Sequence, residues 1–114
     1  MKVSKEQAAH IQKHGIDLRV YETGCEGAGI VHVEVEEGHF QEFYHTKSTF
    51  LYYVIEGIGT FYLNGVPAPV QSGDMIKAPP LTRIYYIGNM KMVLVTTPAW
   101  SAEYEVHVRD IEKV

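Results

Sequence analysis

The chain is a succession of short apolar runs broken by turn residues. LRVYE (18–22), GIVHVEVE (29–36), FLYYVIE (50–56), GTFYLNG (59–65), GDMIKAP (73–79), TRIYYIG (82–88), MKMVLVTT (90–97) and YEVHVR (104–109) are rich in Val, Ile, Tyr, Phe and Thr, and read as strands. Gly38, Gly57, Asn64-Gly65, Gly73, Pro79-Pro80, Gly88-Asn89 and Pro98 separate them. Leu63-Asn64-Gly65-Val66 is a hairpin signal, because a type I′ turn needs positive φ at both central residues. Only the N-terminus reads differently. Ser4 with Gln7 makes a capping box, Glu6 sits in the first turn and Gly15 is a helix stop, which predicts a short helix over about 4–14.

Periodicity separates wet strands from buried ones. In IVHVEVE the valines 31, 33 and 35 share one face, and His32, Glu34 and Glu36 share the other, so one side meets water. FLYYVI and IYYI are apolar at every position and ask for cover on both faces. A second copy of the chain is the simplest cover, which predicts a homodimer. Many short strands with regular turns mean a sandwich or barrel, here spanning about 18–98 with a C-terminal strand near 103–110.

At 114 residues and 46% hydrophobic, the chain suits a single domain able to bury a core without staples. A formal charge of −4 and a pI near 5.8 argue against nucleic acid or an anionic membrane as partner. No run approaches the ~20 apolar residues of a membrane span. The lone Cys25 leaves no internal disulfide and fits a reducing compartment, so a cytoplasmic location is expected.

The ordered strands and their corners resemble those of a small single-domain cupin, over roughly residues 28–97. Gly38 and Gly57 lie at the separation of the glycines that bound the first cupin motif, and YYVIEGIGTFYLNG matches its strand, corner and hairpin. Gly73-Asp74 and Pro79 match the second motif. The resemblance implies an all-β jelly-roll barrel, and ordinarily a divalent metal held by two His and a Glu from the first motif and a His from the second. Here the His pair falls on Tyr44 and Thr46, or one residue earlier on Phe43 and His45; the Glu falls on Phe50 and the last His on Ile84. Phe50 and Ile84 cannot donate to an ion, and a first-row metal needs three or four converging N, O or S donors. The expectation is therefore a cupin without the family metal and without another cofactor. The alternative is a divalent transition metal at an unorthodox rim site of His39, Glu42 and His45.

His45 is the leading candidate for chemistry, as a general base or a ligand anchor. Tyr52 shares strand parity with Phe50, and Tyr86 with Ile84, so both phenols should point inward. Some metal-free cupins, the dTDP-sugar epimerases among them, use a His base and a Tyr acid, and His45 with Tyr52 or Tyr86 is similar in residue type. Phe43, Tyr44, Phe50, Arg83 and Ile84 complete the expected ligand-binding set. His10 and His14 fall on one face of the predicted helix, where a solvated role is the simpler one, and Trp100 is expected to close an end of the barrel or to pack on a dimer partner. Three functions follow: binding of a small, partly apolar molecule; an isomerase, epimerase or metal enzyme; or a structural module whose barrel is filled by its own side chains. The first is preferred.

Overall fold

Two long strands organise the molecule. In a computed structural model describing residues 1–113, the strands are β1 (Ala9–Lys13), β2 (Ile16–Tyr21), β3 (Gly29–Val35), β4 (Gly38–His45), β5 (Thr49–Leu63), β6 (Val66–Gln71), β7 (Met75–Ala78), β8 (Ile84–Thr97) and β9 (Glu105–Asp110). β5 and β8 pair antiparallel from Thr49↔Thr97 to Leu63↔Ile84. The sequence divides each of them in two, at Gly57 and at Gly88. These glycines bend the strands instead of ending them. A Cβ on Gly57 would stand 2.1 Å from the Asn89 carbonyl oxygen, and one on Gly88 would stand 2.5 Å from the Gly59 Cα. Both also have positive φ, of 101° and 142°, which glycine adopts without steric cost.

The bend splits the β5–β8 ribbon into two halves that carry different neighbours. One half pairs with β7 on the β5 side, and with β3, β2 and β1 in turn on the β8 side. The other pairs with β6, and with β4 followed by β9. The single sheet thus curls until its halves face each other across the core, as the resemblance implies. Val31, Val33 and Val35 are buried on the inner face of β3, while outside His32 lies opposite Arg19 and Glu34 opposite Asp17. The Asn64-Gly65 hairpin forms as expected, with φ of 52° and 79°.

The N-terminal helix does not form. The capping box of Ser4 and Gln7 is present, yet it closes only one 3-10 turn, Lys5–Gln7. The chain becomes extended at Ala8 and pairs as β1 with β2, and His14-Gly15 makes the tight turn between them, with φ of 51° and 88°. A helix as short as the one expected over 4–14 is marginal on its own, so a strand partner decides the segment's state. His10 and His14 therefore share no helix face, and His10 pairs instead with Asp17 at 2.8 Å. Cover on the outer face of β5 is also incomplete: Tyr53, Ile55 and the neighbouring Met75 are 50%, 44% and 59% exposed.

Candidate active site

Between the two halves of the sheet lies a cavity of about 120 Å³. Leu18, Val20, Val31, Val33 and Leu94 supply an apolar wall from β2, β3 and β8. Phe50, Tyr52 and Tyr86 form the floor; Phe61 packs behind them, with its ring centroid 4.9 Å from Tyr52 and 4.8 Å from Tyr86. These aromatics bound the space and do not fill it. Trp100 also lines the cavity and does not simply cap an end; its Nε1 donates to Glu105 Oε1 at 3.0 Å.

β4 supplies the central group. Its segment GHFQEFYH contains no β-branched residue, which is why it does not read as a strand from propensity. Pairing with β8 makes it one, and His39, Gln41 and Phe43 all reach the cavity. His39 lies opposite Tyr86 in register and is 5% exposed. Its ring contacts Phe43 and Tyr86 at centroid distances of 5.3 and 5.4 Å. Burial, reinforced by the nearby His14 and Lys13 charges, lowers its pKa to about 3, so it is a neutral imidazole at physiological pH. Nδ1 is fully buried without a hydrogen-bond partner, which leaves Nε2 as the nitrogen able to meet a ligand.

The phenols are held neutral too. Burial raises Tyr52 well above the ordinary phenol range, with Tyr86 and Glu105 adding to the effect, and burial with Glu105 raises Tyr86. The two rings meet edge-on at 5.7 Å. A neutral imidazole with a lone pair thus stands beside two neutral hydroxyls inside an apolar chamber: the first can accept a proton and the others can donate hydrogen bonds.

The polar residues of the cavity come from both edges of the sheet. β1 and β9 are the two ends of the strand order and do not pair with each other. Lys13 on β1 and Glu105 on β9 approach across this seam to 4.0 Å, and His14 and His107 line the same end. Lys13, His14, Gln41, Trp100, Glu105 and His107 all escape sequence reading as site residues, because their convergence depends on how far the sheet curls.

His45 is placed elsewhere. It is 3% exposed, but outside the cavity lining, and both nitrogens are engaged by backbone. Nε2 donates to the Ser101 carbonyl at 3.1 Å, while Nδ1 accepts from the amides of Ser48 at 2.9 Å and Lys47 at 3.3 Å. With no free nitrogen it is a pin joining the β4–β5 connection to the segment before β9. Of the other expected residues, Phe43, Phe50, Tyr52 and Tyr86 line the cavity. Ile84 is buried in the core beside it, Tyr44 is half-buried outside the lining, and Arg83 is exposed at the Asn64 hairpin.

The residues present do not fit a cupin metal. Phe50 and Ile84 place buried hydrocarbon at two of the ligand positions, and both nitrogens of His45 are committed. The rim alternative of His39, Glu42 and His45 does not assemble either. A bulge between Glu42 and Phe43 turns Glu42 toward Arg109, whose Nε donates to its Oε1 at 3.0 Å. Among the described residues, no three His, Cys, Asp or Glu side chains are grouped so as to hold an ion.

A curled all-β sheet enclosing a His–Tyr cavity is a cupin barrel. No family model and no curated protein matches the chain, but solved structures do. Streptomyces Pac13, described as a unique nucleoside dehydratase, superposes with a TM-score of 0.96 at 46% identity, covering 98% of this chain and 93% of its own. The chain belongs to the cupin family, with Pac13 as a relative. Pac13 variants bearing a histidine-to-glutamine or a tyrosine-to-phenylalanine change have been solved with uridine. Oxalate decarboxylase from Bacillus subtilis (TM-score 0.82, 15% identity, 93% of this chain and 31% of that one) and ectoine synthase from P. lautus (0.71, 18%, 99% and 93%) share the fold.

Proposed function

We propose that this protein is an enzyme that binds a nucleoside and removes water from it, with His39 as general base and Tyr52 and Tyr86 as the hydroxyl groups that orient the sugar and protonate the departing oxygen. One observation carries the reading. The histidine and two tyrosines altered in the Pac13 variants follow each other along that chain at the same intervals as His39, Tyr52 and Tyr86 along this one, and here those three side chains meet in one buried cavity. A neutral imidazole suits the first step, since protonated histidine has no lone pair to offer. The C–H bond breaks toward His39, its electron pair forms the new double bond, and the neighbouring C–O bond breaks as the oxygen gains a proton and leaves as water.

The apolar wall and floor fit a planar base and a sugar ring, with polar contacts kept to a few groups, the usual composition of a small-molecule site. An imidazole removes a carbon-bound proton most readily where an adjacent carbonyl delocalises the charge, so nucleosides with an oxidised sugar are the first substrates to assay. The test is direct. Uridine binding is measured by calorimetry, and loss of one water from oxidised nucleosides is followed by mass spectrometry, for the wild type and for His39→Gln. Turnover that survives the substitution overturns the assignment.

A further inference from the structure

The turn between β1 and β2 is built in an unusual way. His14 occupies the left-handed region at φ 51°, where asparagine or glycine is the ordinary choice, and it precedes Gly15 at φ 88°. The turn is also clamped: a Cβ on Gly15 would stand 2.5 Å from the carbonyl oxygen of Gly38, the residue just before His39. Glycine at position 15 is what lets the turn rest on the backbone of β4. The clamp sets the exposed His14 ring 6.1 Å from the buried His39 ring, at 60°.

That juxtaposition bridges two environments. Around His39, β8 presents Tyr86, β4 itself presents Phe43, and the turn presents Lys13 and His14; Glu105 and His107 of β9 line the same cavity. Lys13 faces Glu105 across the seam, and His107 is paired with Asp110 at 3.0 Å. His14 is the imidazole that stands next to His39 and also meets solvent. Both rings line the cavity, so a water held there can join His39 Nε2 to His14, as bridging waters do between polar groups too far apart for direct contact.

We infer that His14 is a positioning and proton-exchanging residue of the site, passing the proton held by His39 to bulk water through one bridging water. The inference rests on His39 being the base. Once His39 has taken a proton from carbon and the product has left, its Nε2–H bond breaks toward the bridging water, that water releases a proton to His14, His14 releases one to solvent, and the tyrosine that protonated the leaving oxygen takes one back from solvent. No bond to the nucleoside changes in this step and no co-reactant is consumed. His14 touches no reacting atom.

The experiment uses ligand-free full-length protein labelled with ¹⁵N at histidine. The exchange rate of the His39 ring proton with water is read by NMR in the wild type and in His14→Asn. Asparagine tolerates the left-handed turn, and an unchanged amide spectrum confirms that the fold holds. Exchange slows roughly a hundredfold in the variant, the low end of what a positioned acid–base group supplies, and free imidazole restores it. An unchanged rate, or a slow rate that imidazole does not rescue, overturns the role of His14. The base assignment fails separately: turnover retained in His39→Gln refutes it whatever His14 does.

Discussion

His39 and Tyr86 face each other across the β4–β8 pair, ring centroids 5.4 Å apart, one a neutral imidazole and the other a neutral phenol. Strand register fixes this pairing, so neither ring can leave without disturbing the sheet. Replacing His39 by Gln keeps a polar side chain and removes the base. The expected loss in kcat is on the order of 10²–10⁴, the range that general acid–base groups contribute. Tyr86→Phe and Tyr52→Phe should each cost less, because one phenol partly covers for the other. Single-turnover kinetics on all three variants decides this.

The pH profile follows from the depressed pKa. With His39 at about 3, the acidic limb of kcat/KM should lie far below neutrality, and the rate should stay flat as pH falls from 7 to near 5. A limb near 6.5 would mean that the imidazole is solvated.

Stability carries the same signature with a definite sign. In the unfolded chain His39 titrates near the ordinary histidine value of 6.5, and in the fold near 3, so between those values the unfolded state binds the extra proton. The contribution is present in full above pH 6.5 and is lost progressively as pH falls toward 3. Urea unfolding at pH 7 and pH 5 should show a fall on the order of 1–2 kcal/mol from this group, at 1.36 kcal/mol per pH unit, and the fall should shrink in His39→Gln.

His45→Ala should damage the fold and spare the site. It strips partners from the Ser48 amide and the Ser101 carbonyl at a buried junction, at about 1–3 kcal/mol for each group left unsatisfied. Thermal melting should move down clearly while uridine affinity of the surviving folded protein stays near wild type. A variant that melts normally but no longer binds would restore His45 to the site.

Arg109→Ala should destabilise through Glu42, which is 1% exposed and has Oε2 without a partner even in the intact pair. Removing the arginine leaves a buried carboxylate uncompensated. The double variant Glu42→Gln/Arg109→Ala should therefore be more stable than the single one, a non-additivity that a double-mutant cycle by chemical denaturation measures.

Much of the molecule is legible in its residues. Valines 31, 33 and 35, the Asn64-Gly65 turn and the inward parity of Phe50, Tyr52 and Tyr86 are local statements, and local chemistry settles them. Chain-wide geometry settles the rest. Gly57 and Gly88 look like strand ends in sequence, and only the close approach of β5 to β8 shows them to be bends. AHIQK reads as a helix because its partner IDLRVY is not visible as a partner. His45 attracts attention through its neighbours in a motif, whereas His39 sits in a strand with weak β-propensity. The Oε2 atom of Glu42, buried without a partner, has no account in sequence or in contacts.

The seam between β1 and β9 has a consequence for how the molecule is made. Lys13 near the start of the chain and Glu105 near its end form opposite lips of one opening. A chain emerging from the ribosome can build the β5–β8 ribbon and much of the core before β9 exists, yet it cannot complete the chamber until its last strand has docked on β4. If the proposed nucleoside binding holds, ligand capture would then serve as a reporter of finished folding, silent for every C-terminal truncation that ends before Glu105.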